Sequence, residues 1–154
     1  MTARASIRIR QFRIADYGAT YALWRRTEGI GLNESDTREA IRSFLNRNPG
    51  FSRVACVRGR VIATVLCGHD GRRGYLHHLA VDRRWRRHGI ARRLVDACLD
   101  HLAAEGIAKC NLFLFGHNVA GRAFWRHLDW DLRADLRVMQ RRTAGPPACS
   151  RTSC

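Results

Sequence analysis

Tyr75-Leu76-His77-His78-Leu79-Ala80-Val81 is an apolar, strand-forming run, and shortly after it comes Arg86-Arg87-His88-Gly89-Ile90-Ala91. A helix of about four turns then extends from Gly89 to Glu105, with Ile90, Leu94, Cys98 and Leu102 on one face and Gly106 just beyond its end. The first turn of a helix carries unpaired backbone N–H groups at the positive end of the dipole, so the segment favours an anion. Gly89 lets a phosphate approach the backbone, Ala91 leaves the first turn uncrowded, and Arg86 and Arg87 add charge-assisted donors. Taken alone, the spacing is better described as an exposed helix start in an arginine-rich chain.

Outward from this segment the pattern is mixed. Ser6 to Arg10 alternates as a strand; Asp16 caps a helix to about Arg26; Ser35 or Asp36 caps a second one that carries Ile41, Phe44 and Leu45 and stops before Pro49-Gly50. Strands at 52–58, 61–68 and 75–81 are joined by the tight turns Arg58-Gly59-Arg60 and His69 to Gly74. Beyond the long helix, a strand is expected at Lys109 to Phe115, a helix at Asn118 to Leu128 and a last strand at Asp135 to Arg141. The order is β-α-α-β-β-β-α-β-α-β, a single α/β domain whose mixed, mostly antiparallel sheet is flanked by helices. Residues 1–143 form that domain, and 144–154 read as a disordered tail.

Composition narrows the class. Hydrophobic residues at 45% and charged residues at 27% suit a soluble globular chain. No apolar run approaches the roughly 18 residues of a membrane span, and Met1 to Ser6 lacks the core of a secretory signal, so a cytoplasmic protein is expected. Cys56, Cys67, Cys98 and Cys110 sit in apolar stretches as free thiols without a C-x-x-C pair, so no metal site is expected. The net charge of +15 is carried by arginine, since Lys109 is the only lysine among 28 basic residues. Such charge alone keeps a nucleic-acid partner open. The arginines are nevertheless scattered, and no helix-turn-helix, finger or aromatic RNA-binding signature appears.

Arg86-x-x-Gly89-x-Ala91, following Leu79-Ala80-Val81, resembles the acetyl-CoA signature of the GNAT superfamily of N-acetyltransferases. Asn118-Val119-Ala120-Gly121-Arg122-Ala123-Phe124-Trp125-Arg126-His127-Leu128-Asp129-Trp130 is similar to that family's later segment, and the likeness covers roughly Ile7 to Arg141, closest to small bacterial members of the YpeA type. The resemblance implies acetyl-CoA as donor. Backbone groups of Leu79, Ala80 and Val81 then meet the pantetheine, with an N–H near Leu79 polarising the thioester. Arg86, Arg87, His88, Gly89, Ile90, Ala91 and Arg92 face the phosphates, and Asn118 approaches the pantetheine end or the thioester. It also implies direct attack by an amine of a small molecule or a protein, with no covalent enzyme intermediate; a homodimer is compatible with it.

An attacking amine must first lose a proton. Strict alternation puts Tyr75, His77 and Leu79 on one face and His78 on the other, and the resemblance singles out His77 as base. Glu28, in the loop after the first helix, is a second candidate, ahead of Glu34. Trp125 stands where the family often has a tyrosine that protonates the leaving thiolate; indole donates a hydrogen bond but is no practical acid. Asp129 replaces a glycine at a position where positive φ is expected. Trp125 and the excess charge also support a rival, a non-catalytic module that binds acyl-CoA or nucleic acid.

Overall fold

In the computed structural model, which describes residues 6–143, the elements are β1 (Arg8–Gln11), α1 (Tyr17–Arg25), α2 (Arg38–Arg47), β2 (Arg53–Val57), β3 (Arg60–His69), β4 (Gly74–Val81), α3 (Ile90–Ala104), β5 (Cys110–Leu112) and α4 (Val119–His127). Short 3-10 turns lie at Ile14–Asp16, Glu34–Asp36 and Arg83–Trp85. The sheet order is β1-β2-β3-β4-β5, antiparallel throughout except for β5, which runs parallel to β4. The 144–154 tail lies outside the described residues.

Both faces of the sheet are buried, and alternation divides them. Ala55 and Val57 of β2 and Ala63, Val65 and Cys67 of β3 pack with Ile90, Leu94, Val95, Cys98 and Leu102 of α3. Val54, Cys56 and Leu66 turn the other way, against Leu23 and Trp24 of α1 and Ile41 of α2. The apolar face of α3 predicted from its periodicity is therefore the one that closes the larger core.

β4 breaks the alternation. Between two paired positions β3 advances two residues, Thr64 to Leu66, while β4 covers three, Ala80 to His77. The surplus is a β-bulge at His78, whose φ is +51°. Left-handed backbone is uncommon outside glycine, though histidine is one of the residues that adopts it more often. Leu76, Leu79 and Val81 consequently pack on the α3 side, and Ala80 on the α1/α2 side. The expected shared face of His77 and Leu79 is thus overturned. His77 meets Phe44 of α2, and His78 meets Trp24 of α1, so the two imidazoles share the α1/α2 side.

The bulge also shortens β5. Only Gly74 to Leu76 of β4 pair with Cys110 to Leu112, and after the bulge β4 bends away, leaving Phe113 to Phe115 without a ladder instead of completing the expected strand. A further correction concerns residues 135–141, which form no strand: they find no pairing partner among the described residues, and Leu136 and Val138 are exposed. The observed order ends on α4. Nor do Ser35 or Asp36 cap α2. Asn33 and Asp36 lock a separate turn, in which Asn33 Oδ1 accepts from the Ser35 N–H and Asp36 Oδ2 from the Asn33 N–H, and Thr37 caps the helix.

Two predictions follow from this packing. A Cβ added to Gly74, at the start of β4, would sit 2.5 Å from Leu102 Cδ1 and 3.3 Å from Cys110 Sγ. Gly74→Ala should therefore cost about 1–3 kcal/mol in urea denaturation through overpacking of the α3 core. At the other end of β4, Asp82 accepts from the Arg84 backbone N–H at 3.0 Å and from Arg26 at 3.1 Å, joining the C-terminus of α1 to the turn below the basic segment. Burial alone would raise its carboxyl, but the hydrogen bonds from Arg84 and Arg26 outweigh that and hold it below the usual carboxylate range. Its stabilising effect is therefore present above the ordinary aspartate range and is lost as pH falls through the lowered native value. Asp82→Asn should lower stability by about 1 kcal/mol at neutral pH, and the gap from wild type should close as urea titrations are repeated at progressively more acidic pH.

Candidate functional site

The start of α3 is left open by its own sequence. Thr37 and Asn118 cap α2 and α4 with side-chain acceptors, whereas Gly89 at the start of α3 supplies none, and the first turn holds no acidic residue. Arg87 and Gly89 are both left-handed, at φ +62° and +70°, on either side of His88. Alternating conformations of this kind turn successive N–H groups toward one point and make an anion-binding concavity. Nothing lies within 4 Å of the place where a Gly89 Cβ would stand, so the concavity is open as well as positive. His88 supports the loop: its Nδ1 donates to the Arg86 carbonyl at 2.8 Å, which turns the ring away from the cleft described next.

A cleft of about 1360 Å³ runs from this loop along the gap between β4 and β5. At one end are Arg86, Arg87, Gly89, Ile90, Ala91 and Arg92; along its floor are Leu79 and Val81; at its far end are His77 and His78. Asn118, Phe124 and Trp125 of the α4 region form one wall, and Glu28 to Gly31 of the loop after α1 form another. Nearly every residue expected from the sequence therefore borders one space. The exceptions are Glu34, His88 and Ala80, the last with its side chain buried toward α1 and α2.

The walls are held by specific contacts. Asn118 Oδ1 accepts from the Gly121 N–H at 2.8 Å, and its amide packs so closely on Gly29 that a Cβ there would be 2.8 Å from Nδ2. Gly31 is similarly seated on the ring of Phe115. Arg92 Nη2 donates to the His127 carbonyl at 3.2 Å, tying the first turn of α3 to the end of α4. Trp125 is edge-to-face with Phe124 and Trp130 and packs at the rim of the α3 core. Asp129 follows α4 with φ +64°, the left-handed geometry expected of the position.

The acidic candidates are engaged elsewhere. Glu28, largely exposed, pairs with Arg83 and lies 3.7 Å from Arg86. Glu34 is exposed and 3.7 Å from Arg142. Asp36 was read from the sequence as no more than a helix cap, yet it is 5% exposed and its Oδ1 lies 2.7 Å from His78 Nε2. The Tyr17 hydroxyl donates to its backbone carbonyl at 2.8 Å. The only local signal for this carboxylate was the Asn33-x-x-Asp36 spacing, which fixes the turn but says nothing of a histidine 42 residues away. His77 has no such partner. Burial lowers its pKa, the charge of His78 lowers it further, and Asp36 opposes them only in part, so it lies below the ordinary imidazole value.

No helix among the described residues is long and apolar enough to cross a membrane. Residues 17–130 match the model of the acetyltransferase (GNAT) family. The chain is 31% identical to an acetyltransferase of Sodalis glossinidius over 134 residues, covering 87% of this chain and 94% of the relative. It is 32% identical to an acetyltransferase of Pectobacterium atrosepticum over 123 residues, covering 80% and 86%. In fold it is similar to the PaiA N-acetyltransferase of Thermoplasma acidophilum, solved in complex with coenzyme A, with a TM-score of 0.71 at 18% identity over 80% of this chain and 88% of that one. An open anion cradle at α3, a splayed sheet beside it and these matches lead to one conclusion: the chain belongs to the acetyltransferase (GNAT) family, with acetyl-CoA as its acetyl donor.

Proposed function

We propose that this protein transfers the acetyl group of acetyl-CoA to an amine, on a small molecule or a protein, by direct attack while both substrates are bound. The observation that carries this reading is the single cleft that joins the cradle at Gly89 to two imidazoles beyond the β4 bulge. Arg86, Arg87, Arg92 and the N–H groups around Gly89 hold the diphosphate. Backbone groups of Leu79, Ala80 and Val81 line the pantetheine arm, an N–H near Leu79 polarises the thioester carbonyl, and Asn118 borders the end of that arm. One of the cleft imidazoles, with His77 the one the sequence singles out, removes the proton from the acceptor's ammonium. The free amine attacks the thioester carbon, the C–N bond forms as the C–S bond breaks, and coenzyme A leaves.

Thiol pKa values near 8.5 make a thiolate a tolerable leaving group, so water suffices to protonate it where Trp125 replaces the family's tyrosine. Glu28 acts at the mouth of the cleft: its pairing with Arg83 and Arg86 joins the acceptor loop to the cradle and makes it a weaker candidate for base than the imidazoles. The strongly positive chain disfavours polycationic acceptors through repulsion.

Two measurements test the reading. Gly89→Glu, and separately Arg86→Glu with Arg87→Glu, should abolish acetyl-CoA binding in calorimetry, because a carboxylate then opposes the diphosphate; unchanged affinity would overturn the donor site. Coenzyme A release should depend on an added amine. Tight acetyl-CoA binding with no turnover on any amine would favour a binding module instead.

A further inference from the structure

We infer that His78, held by the buried carboxylate of Asp36, is the base that deprotonates the acceptor amine, and that Asp36 is its positioning residue. The inference rests on the acetyl-transfer reading and goes beyond it by choosing between two adjacent imidazoles.

A base must be able to become a cation in its own surroundings. His78 Nε2 lies 2.7 Å from Asp36 Oδ1, and the two side chains are only 18% and 6% exposed. A carboxylate beside an imidazolium in a sheltered site offsets much of the cost of the new charge. His77 has no hydrogen-bonding partner among the described residues; it stacks on Tyr75 with an interplanar angle of 10° and meets Phe44 edge-on. Its cation is disfavoured by burial and by His78. A proton taken by His77 thus has no carboxylate beside it, whereas one taken by His78 has Asp36 at 2.7 Å.

Geometry also sets the tautomer. A carboxylate accepts, so Nε2 of neutral His78 carries the hydrogen and Nδ1 keeps the lone pair. Nδ1 has no partner among the described residues, and the ring borders the cleft at the bulge. Asp36 cannot easily turn away. Its second oxygen accepts from the Asn33 N–H at 2.9 Å and its carbonyl from Tyr17. Trp24 packs edge-on against the other side of His78, with centroids 4.9 Å apart. The titratable groups facing His78 are Asp36 from the turn after α1 and His77 from its own strand, with Tyr17 of α1 behind Asp36.

The balance is simple. His78 Nδ1 takes one proton from the acceptor's ammonium and later releases it to solvent. The free amine forms the C–N bond as the C–S bond breaks. The second nitrogen proton passes through water to the thiolate, giving the amide and coenzyme A thiol.

The test measures coenzyme A release from acetyl-CoA with phenethylamine and an alanine-initiated peptide as acceptors, using the whole chain. His78→Ala should lower kcat about 100-fold or more near neutral pH, with acetyl-CoA affinity unchanged. The loss should shrink at alkaline pH, where the amine is already free. His77→Ala should lose less than His78→Ala, and Asp36→Asn should lower kcat about 10-fold or more while leaving KM for acetyl-CoA unchanged. Nitrogen NMR of the unsubstituted protein supplies a readout that needs no acceptor and no altered fold: His78 should show the tautomer protonated at Nε2. A wild-type pH–rate profile in His78→Ala, a larger loss in His77→Ala, or a His78 protonated only at Nδ1 would overturn the assignment while leaving acetyl transfer standing. Failure of the wild type to turn over any of the amines would overturn the acetyl-transfer reading and this assignment with it.

Discussion

The additional residue in β4 governs much of what lies around it. Up to Leu76 the strand is paired on both sides, to β3 and to β5, and it alternates as a buried strand should. At His78 the backbone turns left-handed, the alternation shifts by one, and the strand bends. Three consequences share this cause. The β4–β5 ladder ends and a gap opens beside Leu79 and Val81; Leu79 moves to the α3 side; and His77 and His78 come to lie on the same side of the sheet. Residues in sparsely populated backbone regions cost of order 1–3 kcal/mol each and persist where their surroundings over-determine them. Here those surroundings are Trp24 and Asp36 on the α1 side and the β3 ladder along the strand.

The two ends of the cleft solve opposite electrostatic problems. At the start of α3 the chain withholds every local acceptor: no cap, no acidic residue in the first turn, and two left-handed residues that turn N–H groups outward. Those donors remain available to a polyanionic ligand. At the far end a carboxylate is buried and fully occupied by an imidazole and a backbone N–H. Between them, Glu28 ties the loop after α1 to Arg83 and Arg86, so that wall of the cleft is joined to the basic segment before α3.

Much of the fold could be read locally. The face of α3 built from Ile90, Leu94, Cys98 and Leu102 is the face that packs, because helical periodicity is a property of neighbours in sequence. The β2–β3–β4 meander was legible for the same reason. The last strand was not. Leu136 and Val138 have strand-like spacing, but a strand requires a partner, and spacing cannot supply one. Phe113 to Phe115 failed as strand residues for a related reason, since β4 had already bent away from them.

The candidate site divides along the same line. By itself the sequence placed the open helix start at Gly89, because that geometry is local, and it placed the start of α4 at Asn118 and the left-handed residue at Asp129. Only the tertiary structure decided which way the histidines face. Their orientation depends on how many residues β4 spends opposite Thr64 to Leu66, a mismatch between two strands that neither strand displays alone. It likewise decided that Asp36, 42 residues from His78 in the chain, becomes its partner. The carboxyl group is brought there by a turn packed on the α1/α2 side of the sheet, and it remains because a polar group so buried requires a hydrogen-bonded partner.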